Sequence, residues 1–318
     1  MRIVFLGSGE FAAPSLRALA AEGCEIPIVL TQPAKESGRG RRVTPTPVRT
    51  AARDIGLTVL EVENVNAPVI VERVRSSGAA LGVVVAFGQK LGLEFLQSLP
   101  GGFINLHASL LPKYRGAAPI NWAIVRHERE TGCTVFRIVE KMDAGPILAS
   151  ASTGIGDEET AGELHDRLAL LGVDVLRQAM ALLADASIPN GRPQDDANAT
   201  LAPKLAKSNG ALHFDHSPAD FCRFVHGMNP WPGAQARFEG ADGRWENVIL
   251  LRARPANESA SSRNPPGHLN ERLQIAVRGG SVEVREIKPA SGRAMDWRDY
   301  VNGRRVTPKD RFTAPDHP

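Results

Sequence analysis

Apolar residues follow two different rhythms along this chain. In the first half, short and nearly unbroken apolar runs alternate with stretches in which apolar residues recur every three or four positions. The runs at 2–6, 26–31, 81–87, 103–107 and 133–139 predict buried strands, because a strand covered on both faces reads as continuous Val, Ile and Leu. The stretches at 14–21, 47–55, 68–76 and about 120–127 predict helices. Pro14, Pro47 and Pro68 stand at the starts of the first three, and Gly23 and Gly56 stand just past the ends of the first two. A longer helical spacing over 158–183 is expected to close the domain. This order predicts an α/β fold: a mostly parallel sheet with helices on both faces.

The second half reads differently. Strand-like runs at 248–251, 273–277 and 282–287 are separated by Gly, Pro, Asn and Asp, with one helix near 219–226. That pattern predicts a small β-barrel or sandwich. Residues 190–205 are polar and turn-rich, as a linker is, so the expected division is 1–189, a linker at 190–205, and 206–318. The Pro-, Ser- and Asn-rich piece at 255–267 is expected to be a surface loop.

Composition adds constraints. A chain of 318 residues is long enough for two cores. No apolar run reaches the length of a transmembrane helix, and the opening MRIVFLGSGE is too short in its apolar part for a secretory signal. Cys24, Cys133 and Cys222 are far apart with no CxxC spacing, which argues against a disulfide framework or a zinc site and fits a reducing cytoplasm. The expectation is a cytoplasmic protein without metal or membrane, and a monomer. The net charge is only +3, yet from residue 206 onward there are 17 basic against 13 acidic residues, an excess that suits a polyanionic partner.

The stretch 105–120, NLHASLLPKYRGAAPI, carries the candidate chemistry. Asn105 and His107 are two apart at the end of an expected strand, so they share a face. Ligands in open α/β sheets sit at the carboxyl ends of strands. Asp143 follows in the loop after the next strand. An amide to meet a developing oxyanion, an imidazole to handle a proton and a carboxylate to orient it suit acyl transfer to an amine. No serine or cysteine occupies a nucleophile elbow, so direct attack by the amine is expected rather than an acyl-enzyme. Taken alone, His107 reads rather as a hydrogen-bonded strand-end histidine and Asp143 as a turn residue beside Gly145; the surrounding sequence alters that reading.

In the segments 105–120 and 142–148, the Asn-x-His pair, the SLLP step at Ser109, Leu110, Leu111 and Pro112, and the later Asp143 resemble the signatures of the formyltransferases that use 10-formyltetrahydrofolate. The resemblance implies Asn105 at the oxyanion, His107 in proton handling, Asp143 orienting His107, and Ser109, Leu110, Leu111 and Pro112 along the folate site. It also implies a Rossmann-like sheet followed by an OB-like barrel. Within the family, the extension KYRGAAPI is similar to the branch that formylates initiator methionyl-tRNA. Glycinamide ribonucleotide enzymes share SLLP and DAGPI but not RGAAPI. Enzymes acting on amino sugar nucleotides are the nearest competitors. Residues 31–47, TQPAKESGRGRRVTPTP, form an expected loop with Lys35, Arg39, Arg41 and Arg42 against one acid. Guanidinium groups suit phosphates. This loop resembles the insertion with which the tRNA branch grips the acceptor end, which implies tRNA contacts by Lys35, Arg39, Arg41 and Arg42. NPWPGA at 229–234 is read as a rigid turn anchoring Trp231, matching the start of the family's C-terminal domain, and IKPASGRAM at 287–295 also fits.

One departure stands out. Where the family has Gly-Thr-Pro after its first strand, this chain has Gly7-Ser8-Gly9-Glu10-Phe11-Ala12, which spells a dinucleotide-binding fingerprint. The fingerprint expects an acid at the end of the second strand, and Leu30-Thr31-Gln32 has none, so a tight turn is the preferred reading over a nicotinamide site. His213 and His216 have metal-ligand spacing without further ligands and are read as surface residues, as is the pair His165 and Asp166.

Overall fold

A computed structural model describes residues 1–37, 42–184, 191–256 and 264–315. In chain order the first elements are β1 Arg2–Gly7, α1 Ala13–Ala21, β2 Glu25–Thr31, β3 Lys35–Ser37, β4 Arg42–Thr44, α2 Pro47–Asp54, β5 Val59–Glu61, α3 Pro68–Arg75, β6 Leu81–Val85, α4 Leu93–Leu96 and β7 Phe103–His107. They are followed by β8 Arg115–Gly116, α5 Pro119–Val125, β9 Glu130–Arg137, β10 Ile147–Gly154, α6 Ala161–Ala184 and β11 Leu201–Ala202. The remainder comprises α7 Pro218–Gly227, β12 Ala234–Glu239, β13 Trp245–Pro255, β14 Ile275–Val277, β15 Gly280–Pro289, β16 Met295–Asp296, α8 Trp297–Arg304 and β17 Arg311–Thr313.

The chain divides into two compact units. The first is Met1–Gly116, Thr131–Thr153 and His165–Ala202; the second is Ala117–Glu130, Gly154–Leu164 and Pro203–Pro318. The described part of the stretch expected as a linker packs within the first unit as far as Ala202.

The first unit is built on a seven-stranded sheet of order β10-β9-β7-β6-β1-β2-β5. Strands β5, β2, β1, β6 and β7 are parallel neighbours, and β9 runs antiparallel to β7. All five residues of β6, LGVVV, are buried, as the unbroken apolar run requires. Gly82 has no side chain because the ring of Phe103 occupies that space. The register pairs Gly7 with Val85 and Val85 with Leu106, so the carboxyl ends of β1, β6 and β7 are level. That is the edge on which an α/β sheet gathers ligands. The expected loop at 31–47 is partly a hairpin: β3 and β4 pair antiparallel, Lys35 opposite Thr44 and Ser37 opposite Arg42.

In the second unit an antiparallel sheet runs β14-β15-β13-β12-β17, with β16 beside β15. Its two edges meet through residues 267–269. The Gly267 amide donates to Ala276 in β14 at 2.8 Å, and the Phe312 amide in β17 donates to Gly267 at 2.7 Å. The sheet therefore closes into a barrel, which decides between barrel and sandwich. Gly267, at φ +87, allows the closure, since a Cβ there would strike the Phe312 carbonyl. Phe221, Phe238, Tyr300 and Phe312 fill the interior, with Phe238 edge-on to Tyr300 at 5.5 Å between centroids. Trp231 is 53% exposed on its turn, which Asn229 and Gly233 hold by hydrogen bonds to Leu251 and Met228. The expected loop at 255–267 is described only outside 257–263.

Candidate active site

His107 ends β7, and its ring is 9% exposed. The ring Nε2 lies 2.9 Å from the Tyr114 carbonyl oxygen. A carbonyl only accepts, so Nε2 carries a proton and Nδ1 is the nitrogen left for chemistry. Nδ1 faces Asp143 Oδ2 at 3.9 Å. That distance is too long for a direct hydrogen bond, and the two groups attract as charges only when the ring is protonated. Phe136 packs edge-on to the imidazole, with centroids 6.5 Å apart. Asn105 lies two residues back on the same face, half-buried, and among the described residues no side-chain or backbone group hydrogen-bonds its amide. An amide at a strand end without a protein partner is a donor in waiting for an incoming oxygen.

Two loops supply the rest. The first, from 108 to 116, is stitched from inside. Ser109, fully buried, donates through Oγ to the Lys113 carbonyl at 2.6 Å. Thr134 donates to Ser109 O at 2.7 Å and accepts from the Leu111 amide at 3.2 Å. Of the four residues expected along the folate site, Ser109 and Leu111 are therefore committed to holding the loop, while Leu110 and Pro112 keep part of their surface open. The loop turns at Tyr114, a non-glycine residue at φ +60, and this turn brings its carbonyl to His107. The second loop joins β9 to β10 and carries Asp143 at φ +49. Asp143 Oδ2 accepts from the Gly116 amide at 2.8 Å, so the carboxylate is tied to the first loop. Gly145, two residues on, has no room for a side chain, because a Cβ would collide with the Arg137 carbonyl.

The glycine-rich turn after β1 is closed on itself. The Ser8 and Gly9 amides both donate to Ala86 O, at 3.2 and 3.3 Å. These are the groups that a dinucleotide fingerprint would present to a pyrophosphate. Gln32 donates through its side chain to Phe87 O at 2.8 Å and through its backbone to Ser8 Oγ at 3.0 Å. The turn binds strands together, as the tight-turn reading expects.

Among the basic residues expected at tRNA, Lys35 and Arg42 belong to the hairpin strands β3 and β4, and Arg39 and Arg41 lie outside the described residues. His165 pairs with Asp166 at 2.9 Å and meets Phe11 edge-on, and His216 stacks on Phe224. Among the described residues no cluster of three or more His, Cys, Asp or Glu is arranged to hold a metal. Arg115, Gln194 and Thr200 also reach the two loops and carry no signal of a site role in the sequence. Gln194 and Thr200 lie in a polar stretch whose partners are between 49 and 86 residues away in the chain, so spacing carried no signal for them.

Residues 1–180 match the family model described as formyl transferase, and residues 204–305 match that of the formyl transferase C-terminal domain. The chain is 39% identical over 313 residues to the methionyl-tRNA formyltransferase of Solibacter usitatus, covering 98% of each chain. It is also 39% identical over 313 residues to that of Methylococcus capsulatus, covering 97% of this chain and 99% of the other. Among solved structures it is similar to HypX from Aquifex aeolicus in complex with tetrahydrofolic acid, with TM-score 0.62 and 17% identity over 95% of this chain and 47% of that one. The sugar 3N-formyl transferase WlaRD gives TM-score 0.63 and 15% identity, covering 92% of this chain and 99% of that one. At these identities both structures speak for the fold alone.

Proposed function

The chain belongs to the formyl transferase family, and we propose that it transfers the formyl group of 10-formyltetrahydrofolate to the amino group of methionine on initiator methionyl-tRNA. The observation that carries this reading is end-to-end similarity, over 98% of the chain, to a relative named for that reaction. The site geometry supports the same chemistry.

The free methionyl amine attacks the formyl carbon, and the carbonyl oxygen becomes an oxyanion. Asn105, whose amide has no protein partner among the described residues, donates to that oxygen. His107, held through Nε2, presents Nδ1 to the reacting groups, and the Asp143 carboxylate 3.9 Å away offsets charge developing on the ring. The C–N10 bond then breaks, and across the reaction one proton passes from the attacking amine to N10 of the folate. Leu110 and Pro112 offer the folate an apolar wall, with Ser109 and Leu111 supporting it from behind. Residues 1–189 are the catalytic domain, with which the described part of 190–205 packs as far as Ala202, and 206–318 are the tRNA-binding domain. Lys35, Arg39, Arg41 and Arg42 meet the tRNA through its phosphates. The protein acts as a monomer in the cytoplasm, a setting that its three free, widely separated cysteines fit.

The test is formyl transfer from 10-formyltetrahydrofolate to charged initiator tRNA. The parent is expected to be active, and His107→Ala or Asn105→Ala to lower kcat by about 10²–10³-fold. Formylation of an amino sugar nucleotide in preference to methionyl-tRNA would reject this substrate assignment.

A further inference from the structure

Asp143 stands in the left-handed region without secondary structure of its own, so something else must hold its loop. Gln194 does so. Its Nε2 donates to the carbonyl oxygens of Asp143 at 2.9 Å and Gly145 at 2.7 Å. Its Oε1 accepts from Arg115 twice, from Nε at 3.2 Å and Nη2 at 2.8 Å. Both halves of the side-chain amide are in use. The Arg115 side chain is 6% exposed, so its charge requires such partners. Its Nη2 also donates to Asp196 Oδ1 at 2.8 Å, and Asp196 pairs with Lys141, two residues before Asp143. Hydrogen bonds from Lys141 and Arg115 hold the Asp196 carboxyl below its usual range. The same stretch of chain reaches His107 by a second route. Thr200 Oγ1 accepts from the Tyr114 amide at 2.9 Å, and the Tyr114 carbonyl is the group that holds His107 Nε2. Thr200 O also accepts from the Arg115 amide at 2.9 Å. Residues 192–202 therefore brace both loops of the site.

We propose that Gln194 is a positioning residue, which aims the Asp143 carboxylate at His107 by gripping the backbone on either side of Ala144, while Thr200 steadies His107 through Tyr114. The proposal rests on the reading of Asn105, His107 and Asp143 as the catalytic group. None of the bracing residues touches the reacting atoms. The two halves of the Gln194 amide do separable work. Gln194→Glu keeps an acceptor for Arg115 and loses both donors to the Asp143 loop. Gln194→Ala loses both.

The experiment compares kcat, KM for each substrate and melting temperature for the full-length parent, Gln194→Glu, Gln194→Ala, Asp143→Ala and the double variant Gln194→Glu/Asp143→Ala. Gln194→Glu is expected to lower kcat about tenfold with both KM values unchanged, since small misplacements of a reacting group are costly, and to lower the melting temperature, since a carboxylate oxygen then faces two carbonyls. Gln194→Ala is expected to show the same kcat loss together with a lower melting temperature. In the Asp143→Ala background the Gln194→Glu cost is expected to vanish, because the residue acts through Asp143. A tenfold loss that persists undiminished in that background would overturn the proposal, as would full kcat in both single Gln194 variants. Full activity of Asp143→Ala would instead overturn the catalytic reading beneath it.

Discussion

His226 is folded in its neutral form. It is 1% exposed, its Nε2 accepts the Ala253 amide at 3.4 Å, and burial first, then the nearby Arg252 and Arg223, push its pKa down to about 4, with Glu163 acting in the opposite sense. The unfolded chain binds that proton more readily than the folded one, so stability rises with pH across this interval. The His226 contribution is fully present above about pH 6.5 and is lost as pH falls toward 4, amounting to about 2 kcal/mol between pH 7 and pH 5. All four tryptophans lie in the second unit with His226, so urea unfolding followed by tryptophan fluorescence reads the relevant transition. His226→Gln is expected to flatten the pH dependence between 7 and 5 by that amount; an unchanged slope would place the acid sensitivity elsewhere. The placement of Asn105 and His107 on one face of a strand end was legible, because strand alternation is a local property. It was not legible that Ser109 and Leu111 face inward, since which side of a loop is dry depends on Thr134, from another strand.

Among the elements, the β9–β10 connection is the most demanding. Gly145 cannot be enlarged without moving the Arg137 carbonyl, and the displaced backbone is the one that carries Asp143. Gly145→Ala is expected to lower kcat at least tenfold and to destabilise by about 1–3 kcal/mol, through a strained backbone and not through any lost contact. Steady-state kinetics with thermal unfolding checks both. The β3–β4 hairpin makes a different prediction. Replacing Arg39, Arg41 and Arg42 together by alanine is expected to raise KM for methionyl-tRNA and leave KM for the folate unchanged. It should also flatten the log–log salt dependence of tRNA binding by roughly 2, at about 0.7 for each phosphate contact to a single strand. Helices α1, α2 and α3 agree with the sequence pattern to within a residue or two at each end, because proline at the start is a local signal. Strands β5 and β10 escaped it: one is three residues long, and the other, ILASASTG, is half polar because alternate residues are exposed.

For the whole molecule, closure of the barrel depends on one narrow passage. Gly267 accepts from Phe312 and donates to Ala276, and this one residue joins β17 to β14. Gly267→Val forces a β-branched side chain into left-handed backbone against the Phe312 carbonyl. The variant is expected to lose several degrees in the transition reported by the tryptophans. An unshifted transition would show that the sheet is stable open. Local patterning could not show this closure, because residues 267–269 are too short to read as a strand and their partners are found only after the sheet has curled.

The sequence by itself determined the class of each half, the strand-end pair of Asn105 and His107, and the acid that follows them. Periodicity and side-chain chemistry are local properties, and these features need nothing more. Only the tertiary structure decided that the amides of the glycine-rich turn are spent on Ala86, that the second half closes as a barrel, and that Arg115, Gln194 and Thr200 join a supposed linker to the two loops beside His107. Those outcomes rest on hydrogen bonds between groups far apart in the chain, whose pairing exists only once folding has brought them within about 3 Å.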